Sequence, residues 1–313
     1  MDSDDEQEDM GFSPDEAFGL LANEARMEIL RLLWEEHKPY VESTLTFSEL
    51  FDHVDYDDTG NFSYHLEKLV GTFVRRTDEG YELREAARRV LRSVHAGTVT
   101  EKPRFNADLG KSCPNCDGPI EARYVEDRLY ILCSECDGVL PHEELPRGVI
   151  FAAKVPPAIL DGRSPKEVLQ AAITWNTSQY GAVTRGVCPE CTGQLTRSLD
   201  ICEDHPVESV PVCEACGSRF AVWIRHTCEN CGYSRYFGLW PYAWKHPGVN
   251  AFYLSHDLDV NGLTWDEAVA LIDSIEYEEI LSVDPLRARQ VISVDDDELE
   301  VTFNDDLDVV DIS

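Results

Sequence analysis

The chain has 313 residues, 43% of them hydrophobic and 10% aromatic, with 60 acidic against 27 basic residues and a formal net charge of −33. That length exceeds one small core and predicts two or three domains, while the apolar content excludes a wholly disordered acidic chain. No stretch reaches the ~20 apolar residues needed to cross a bilayer, and the acidic start Met1-Asp2-Ser3-Asp4-Asp5 is unlike a signal peptide, so a cytoplasmic protein with no membrane partner is expected.

The acids are spread along the chain instead of forming one tail, and few of the bases are lysine. Such a surface suits a concentrated-salt cytoplasm, where the Debye length shrinks to ~3 Å and self-repulsion is screened. The same screening keeps a nucleic-acid partner admissible despite the net charge. In a reducing compartment, the eleven cysteines, arranged as CxxC pairs, read as metal ligands before they read as disulfides.

In chain order, residues 1–12 read as a disordered acidic leader and 13–95 as a compact helical domain. Residues 96–111, with Gly97, Pro103 and Gly110, read as a linker. A first cysteine module occupies 112–145 and a second metal-binding domain 146–313, with a helix opening at Ser164-Pro165, further helices around Val249–Ser255 and Trp265–Ile275, and a strand-like tail through Val291–Val310. The fold class expected is α+β and multidomain: an N-terminal winged helix of three helices and a β-hairpin wing, a zinc ribbon, and a C-terminal α/β zinc-binding domain.

Ser13-Pro14-Asp15-Glu16 carries a capping box with proline at the first helical position, and Thr46-Phe47-Ser48-Glu49 carries a second cap. In Asn61-Phe62-Ser63-Tyr64-His65-Leu66-Glu67-Lys68-Leu69, a step of ~100° per residue puts Phe62, Leu66 and Leu69 on one buried face. Asn61, Tyr64 and Lys68 then face outward, flanked by Ser63 and His65. A short helix projecting polar side chains from a small helical core is the shape that enters a major groove. Behind it, Phe73 to Arg84 reads as a hairpin turning at Asp78-Glu79-Gly80, which would be the wing. From Lys68 to Arg92 there are seven bases and four acids, a positive window in an otherwise negative chain. The candidate DNA-binding residues are therefore Asn61, Ser63, Tyr64, His65, Lys68, Arg75, Arg76 and Arg84.

Asn23-Glu24-Ala25-Arg26, Phe47-Ser48-Glu49-Leu50, Phe62-Ser63-Tyr64-His65-Leu66 and Glu79-Gly80-Tyr81-Glu82-Leu83 resemble the ArsR-like winged-helix regulators of halophilic archaea over residues 13–95. The resemblance implies a winged helix, homodimerisation, and contact with double-stranded DNA through Ser63, Tyr64, His65 and the wing arginines. Metal-sensing members of that family carry a cysteine pair in or beside this helix. Here no cysteine precedes Cys113, so sensing by that route is not expected.

Cys113/Cys116 and Cys133/Cys136 are two knuckles separated by sixteen residues. Zinc takes four ligands at tetrahedral corners, two from each CxxC, and such a spacer is a strand pair returning the second knuckle to the first. Arg123–Val125 and Leu129–Leu132, around Glu126-Asp127, supply the strands. Further along come Cys188/Cys191, Cys202/His205, Cys213/Cys216 and Cys228/Cys231, in which His205 stands where a twelfth cysteine would complete the set. Twelve ligands make three closed structural Zn2+ sites with none left over, and a closed site leaves no open position for catalysis. Gln194–Ile201 and Arg219–His226 read as strands spanning some 25 Å at ~3.3 Å per residue. That favours an alternating brace, Cys188/Cys191 with Cys213/Cys216 and Cys202/His205 with Cys228/Cys231, over sequential pairing.

No phosphate loop or nucleophile elbow is present, and no enzymatic activity is expected. The sequence supports a sequence-specific, dimeric DNA-binding regulator. Its rival is an interaction protein of the transcription machinery, in which a winged helix and zinc ribbon contact RNA polymerase with little DNA sequence preference.

Overall fold

Ser13 opens the fold with its capping box intact: its hydroxyl accepts from the amide of Glu16 at 3.3 Å, and the Glu16 carboxylate accepts from the Ser13 amide at 3.0 Å. The computed structural model describes residues 13–36, 44–54, 58–139, 145–208 and 213–313. The expected acidic leader, 1–12, lies outside the described residues. The chain separates into two compact units, residues 1–101 and 102–313.

The first unit contains α1 (Pro14–Leu21), α2 (Glu24–Glu35), α3 (Phe47–Asp52), α4 (Thr59–Leu69), β1 (Val74–Arg76), β2 (Tyr81–Leu83) and α5 (Glu85–His95). Helix starts follow local chemistry. Asn23 accepts from the Arg26 amide at 3.1 Å, Thr46 and Glu49 form a reciprocal capping box, and Asp58 accepts from the Gly60 amide at 2.8 Å. The helices share a core of Ile29, Leu30, Leu33, Leu50, Phe62, Leu66, Leu69 and Leu91, closed by Val74 and Leu83 of the hairpin. Phe62 meets Phe47 and Phe51 edge-on at 5.3 and 5.5 Å. Burying each such side chain contributes about 1.5–3 kcal/mol, so this core fixes which face of α4 remains outside.

β1 and β2 pair antiparallel with Val74 opposite Leu83 and Arg76 opposite Tyr81. Leu45 bridges to Tyr81 as a third short segment, through bonds of 2.8 and 3.0 Å. Gly80, at φ 148°, is required by that approach, since a Cβ there would lie 2.4 Å from the Leu45 carbonyl oxygen.

The second unit begins with an antiparallel meander of β3 (Phe105–Ser112), β4 (Pro119–Val125), β5 (Arg128–Cys133) and β6 (Val149–Lys154), in that order across the sheet. Glu126 and Asp127, both left-handed at φ 50° and 59°, turn the β4–β5 hairpin at the expected place. Two expectations need correction. Residues 105–111, read as linker, form β3 together with Ser112. And the module read as 112–145 is flanked on both sides by strands of its own sheet and shares one core with the rest of the unit. The polar alternation of Asn106 and Asp108 hid β3, whose inward residues are Phe105, Ala107 and Leu109.

After α6 (Pro165–Ser178) and α7 (Tyr180–Val183) comes a three-stranded antiparallel sheet, β7 (Thr196–Ile201), β8 (Val222–Thr227) and β9 (Ser234–Phe237). α8 (Trp240–Ala243) buries the aromatic run Trp240-Pro241-Tyr242-Ala243-Trp244, with the Tyr242 hydroxyl 2.7 Å from His226 Nε2. α9 (Pro247–Ser255) and α10 (Trp265–Asp273) precede a second meander, β10 (Ile275–Val283), β11 (Leu286–Val294), β12 (Asp297–Phe303) and β13 (Val309–Ile312). Val168, Ile173, Ile224, Tyr253, Leu271, Ile292 and Phe303 belong to one continuous core. Among the described residues, no helix is long and apolar enough to cross a membrane.

Candidate metal centres and the exposed face of α4

Three groups of four potential ligands converge, each with all ligand atoms within 4.8 Å of one another: Cys113, Cys116, Cys133 and Cys136; Cys188, Cys191, Cys228 and Cys231; and Cys202, His205, Cys213 and Cys216. Every expected ligand is placed in a group. The eleven cysteines are free thiols. Sulfur–sulfur distances of 3.5–3.6 Å across the first two groups are far beyond a disulfide's ~2.05 Å. They approach the ~3.8 Å edge of a tetrahedron whose corners lie ~2.3 Å from a central ion.

The partition of the second array differs from the alternating brace expected from sequence. β7 and β8 are antiparallel, Thr196 opposite Thr227 and Ile201 opposite Val222. Cys188/Cys191, before β7, therefore lies at the same end as Cys228/Cys231, after β8. Cys202/His205 follows β7 and Cys213/Cys216 precedes β8, so these meet at the other end. The two strands do carry the chain between ends, but His205 and Cys213 stand in one group at the same end. The result is nested: one ligand group closes each end of the sheet.

Four knuckles share one backbone plan. The amide of the first cysteine donates to the carbonyl five residues on: Cys113 to Gly118, Cys188 to Gly193, Cys213 to Ser218 and Cys228 to Tyr233, each at 2.8 Å. The residue directly after the second cysteine is left-handed and donates back to the first: Asp117, Thr192, Gly217 and Gly232. This turn aims both sulfurs inward and frees following amides to point at them, as Gly193 does at Cys191 (3.4 Å). That amide, with the Asn230 side chain at 3.6 Å, holds the Cys191 thiol down to about 6, favouring the thiolate. Burial instead pushes Cys113 up to about 12, and a divalent cation at the centre of its group reverses that preference.

In the third group the His205 ring is oriented from behind. A backbone carbonyl only accepts, so the 3.1 Å contact of Nε2 with the Arg219 carbonyl fixes the proton on Nε2 and leaves Nδ1 facing Cys216 Sγ at 3.5 Å. Burial lowers the pKa of His205 and keeps it neutral, the form a metal requires. Arg219 is itself anchored, its guanidinium donating to Asp273 Oδ1 at 2.7 Å and to the carbonyls of Asp273 and Ile275 at 3.2 Å. Sequence reasoning missed Arg219, which has no spacing signature; the knuckle turn was signalled by the glycine or small polar residue after each CxxC.

In the first unit, α4 brings Asn61, Tyr64 and Lys68 to one exposed face, with Ser63 and His65 half-buried beside it. Tyr64 is 58% exposed, and Lys68 Nζ lies 5.5 Å from its ring centroid. The hairpin arginines are less available. Arg75 pairs with the buried Glu82, and Arg76 with Glu67 and with the Tyr81 hydroxyl at 2.7 Å. Arg84 is exposed at the cap of α5.

Residues 110–309 match the family described as Domain of unknown function (DUF7351), and residues 14–94 match a second, Domain of unknown function (DUF7347). The first match covers well over half of the chain, which therefore belongs to the DUF7351 family. No curated protein and no solved structure matches the chain.

Proposed function

We propose that this member of the DUF7351 family is a sequence-specific DNA-binding transcriptional regulator whose three ligand groups hold structural zinc. The observation that carries the reading is α4: Phe62, Leu66 and Leu69 are locked in the core while Asn61, Tyr64 and Lys68 stand outside, with the β1–β2 hairpin behind. In this reading the first unit is a winged helix, α4 its recognition helix and the hairpin its wing. Asn61, Tyr64 and Lys68 offer an amide, a hydroxyl and an ammonium for base edges or phosphates. At molar salt, counterion release contributes little to affinity, so base contacts and shape fit carry more of it.

Four soft or borderline ligands with no open position suit zinc, and β4–β5 with its two knuckles has the layout of a zinc ribbon. Their work is folding: structural zinc adds its binding free energy to a small module. Homodimerisation follows from the resemblance to ArsR-like regulators, and α1, with Phe18 71% exposed, offers apolar surface for it.

One observation favours a second reading. Arg75 and Arg76 are engaged in ion pairs, which weakens the hairpin as a phosphate clamp and suits a transcription-machinery protein with little sequence preference. Selection from random duplex DNA at high potassium chloride tests the first reading. It expects an enriched motif lost in Tyr64→Ala/Lys68→Ala; enrichment without any motif supports the second.

A further inference from the structure

The hairpin and the start of α5 frame another candidate site, apart from the metal centres and from the exposed residues of α4. A cleft of about 550 Å³ is lined by Arg75, Arg76, Arg84 and Arg88, together with Glu82 and Glu85. Its acids are already compensated. Glu82 takes Arg75, while Glu85 lies 3.0 Å from Arg92 and 3.6 Å from Arg89. Arg76 is held by Glu67 and Tyr81.

Arg84 and Arg88 differ. Among the described residues neither has a carboxylate partner, and Arg88 Nε is buried with no hydrogen-bond partner. This is conspicuous in a chain with 60 acids and 27 bases, where carboxylates outnumber cations more than twofold. The two are also one turn apart, Arg84 at the N-cap of α5 and Arg88 in its first turn, the Arg88 amide donating to the Arg84 carbonyl at 3.1 Å. Like charges at that spacing repel modestly, and an anion bound by both would offset the repulsion. Two guanidinium forks lining one cleft suit the several oxygens of a phosphate group, because each can donate in parallel to two of them.

We propose that this cleft binds a phosphate group through Arg84 and Arg88, supplied either by a free phosphate ester or by a DNA backbone. The site stands independently of base recognition by α4. The test uses the full-length, zinc-loaded protein and two probes, pyrophosphate by calorimetry in chloride buffer and duplex DNA by fluorescence anisotropy across a salt series. Variants are Arg84→Gln/Arg88→Gln and, as a control on the same helix, Arg89→Gln. All must first show the wild-type melting temperature and zinc content; Arg84→Gln alone serves if the double variant does not.

Saturable pyrophosphate binding that weakens about tenfold or more in the double variant, and not in the control, establishes a free-ester site. Absence of pyrophosphate binding, with duplex affinity reduced and the log–log salt slope shallower by about one, assigns the phosphate to DNA. Wild-type behaviour of the double variant toward both probes overturns the proposal. So does equal binding of sulfate and pyrophosphate that ignores the substitutions. A protein that binds pyrophosphate through these arginines but no DNA would refute the regulator reading and leave the cleft standing.

Discussion

His205 and Arg219 are joined by a 3.1 Å hydrogen bond from imidazole Nε2 to the backbone carbonyl, and this bond leaves Nδ1 as the atom that could ligate a metal in the third group. The same Arg219 anchors its side chain on Asp273 and Ile275, at the junction of α10 and β10. A metal ion held by Cys202, His205, Cys213 and Cys216 therefore fixes the segment that docks β8 onto the C-terminal meander. His205→Ala is expected to lower the zinc content from three ions per chain to two and to destabilise the second unit by several kcal/mol, against the ~10–16 kcal/mol typical of a complete structural site. His205→Cys should retain three. Zinc per chain by elemental analysis, together with thermal unfolding, checks both.

The nested partition has its own signature. Cys188→Ser and Cys231→Ser are each expected to remove one zinc, and the double variant to lose no more than either, because both cysteines stand in the same ligand group. Cys188→Ser/Cys216→Ser loses two. An alternating brace reverses these outcomes, since it places Cys188 with Cys216 and Cys231 with Cys202. Metal counting on the four proteins separates the two arrangements.

Glu278 gives a pH dependence of defined sign. It is fully buried in β10, with Oε2 accepting from the Val222 amide at 3.0 Å and Oε1 from Gln290 Nε2 at 2.9 Å, and burial raises its pKa to about 7. The unfolded carboxyl titrates at about 4.3. Between those values the folded state holds the extra proton, so this group makes stability fall as pH rises from about 4.3 to 7 and level off above, a loss on the order of 3 kcal/mol. Glu278→Gln should abolish that slope. The Gln290 Oε1, buried and without a hydrogen-bond partner among the described residues, can turn to accept from the new amide, so the variant should be at least as stable as wild type at pH 8. Acid release of zinc acts in the opposite direction and is common to both proteins. The difference between their denaturation free energies, measured from pH 5 to 8, isolates Glu278.

Arg75 is predicted to be structural. Removing it leaves Glu82, only 2% exposed, without its guanidinium, at a cost of about 1–3 kcal/mol. Arg84→Ala, at an exposed residue with no carboxylate partner among the described residues, should fall within about 0.5 kcal/mol of wild type. Denaturant unfolding of both variants checks this, and it matters for interpretation: DNA-binding defects of Arg75 variants are uninformative unless folding is controlled.

Much of this architecture could be read from residue order because the signals are local. The capping boxes at Ser13, Thr46 and Ser164 mark helix starts, and Phe62, Leu66 and Leu69 identify the buried side of α4. The twelve residues that converge in three groups follow from CxxC spacing and arithmetic. What escaped was set by long-range pairing. Which knuckles share an ion depends on β7 and β8 being antiparallel neighbours, a relationship no spacing encodes. β3 was hidden by its polar outward residues, and β10 lay outside the strand-like tail read from sequence because Glu276, Glu278 and Glu279 interrupt its apolar pattern, although Glu278 is entirely buried. The engagement of Arg75 and Arg76 was equally invisible, since their partners Glu82 and Glu67 become neighbours only once the hairpin closes.

The central claim, that α4 reads DNA, is tested most directly by mapping occupancy of the protein across the genome by crosslinking in cells at native salt. Wild type is compared with Asn61→Ala/Tyr64→Ala/Lys68→Ala, substitutions confined to exposed residues that leave the core and the metal ligands untouched. The account predicts a limited set of discrete sites sharing a motif, lost in the variant at unchanged protein level and zinc content. Occupancy spread over all active promoters, or identical in the two proteins, would contradict it and make the first unit a protein-binding element of the transcription machinery.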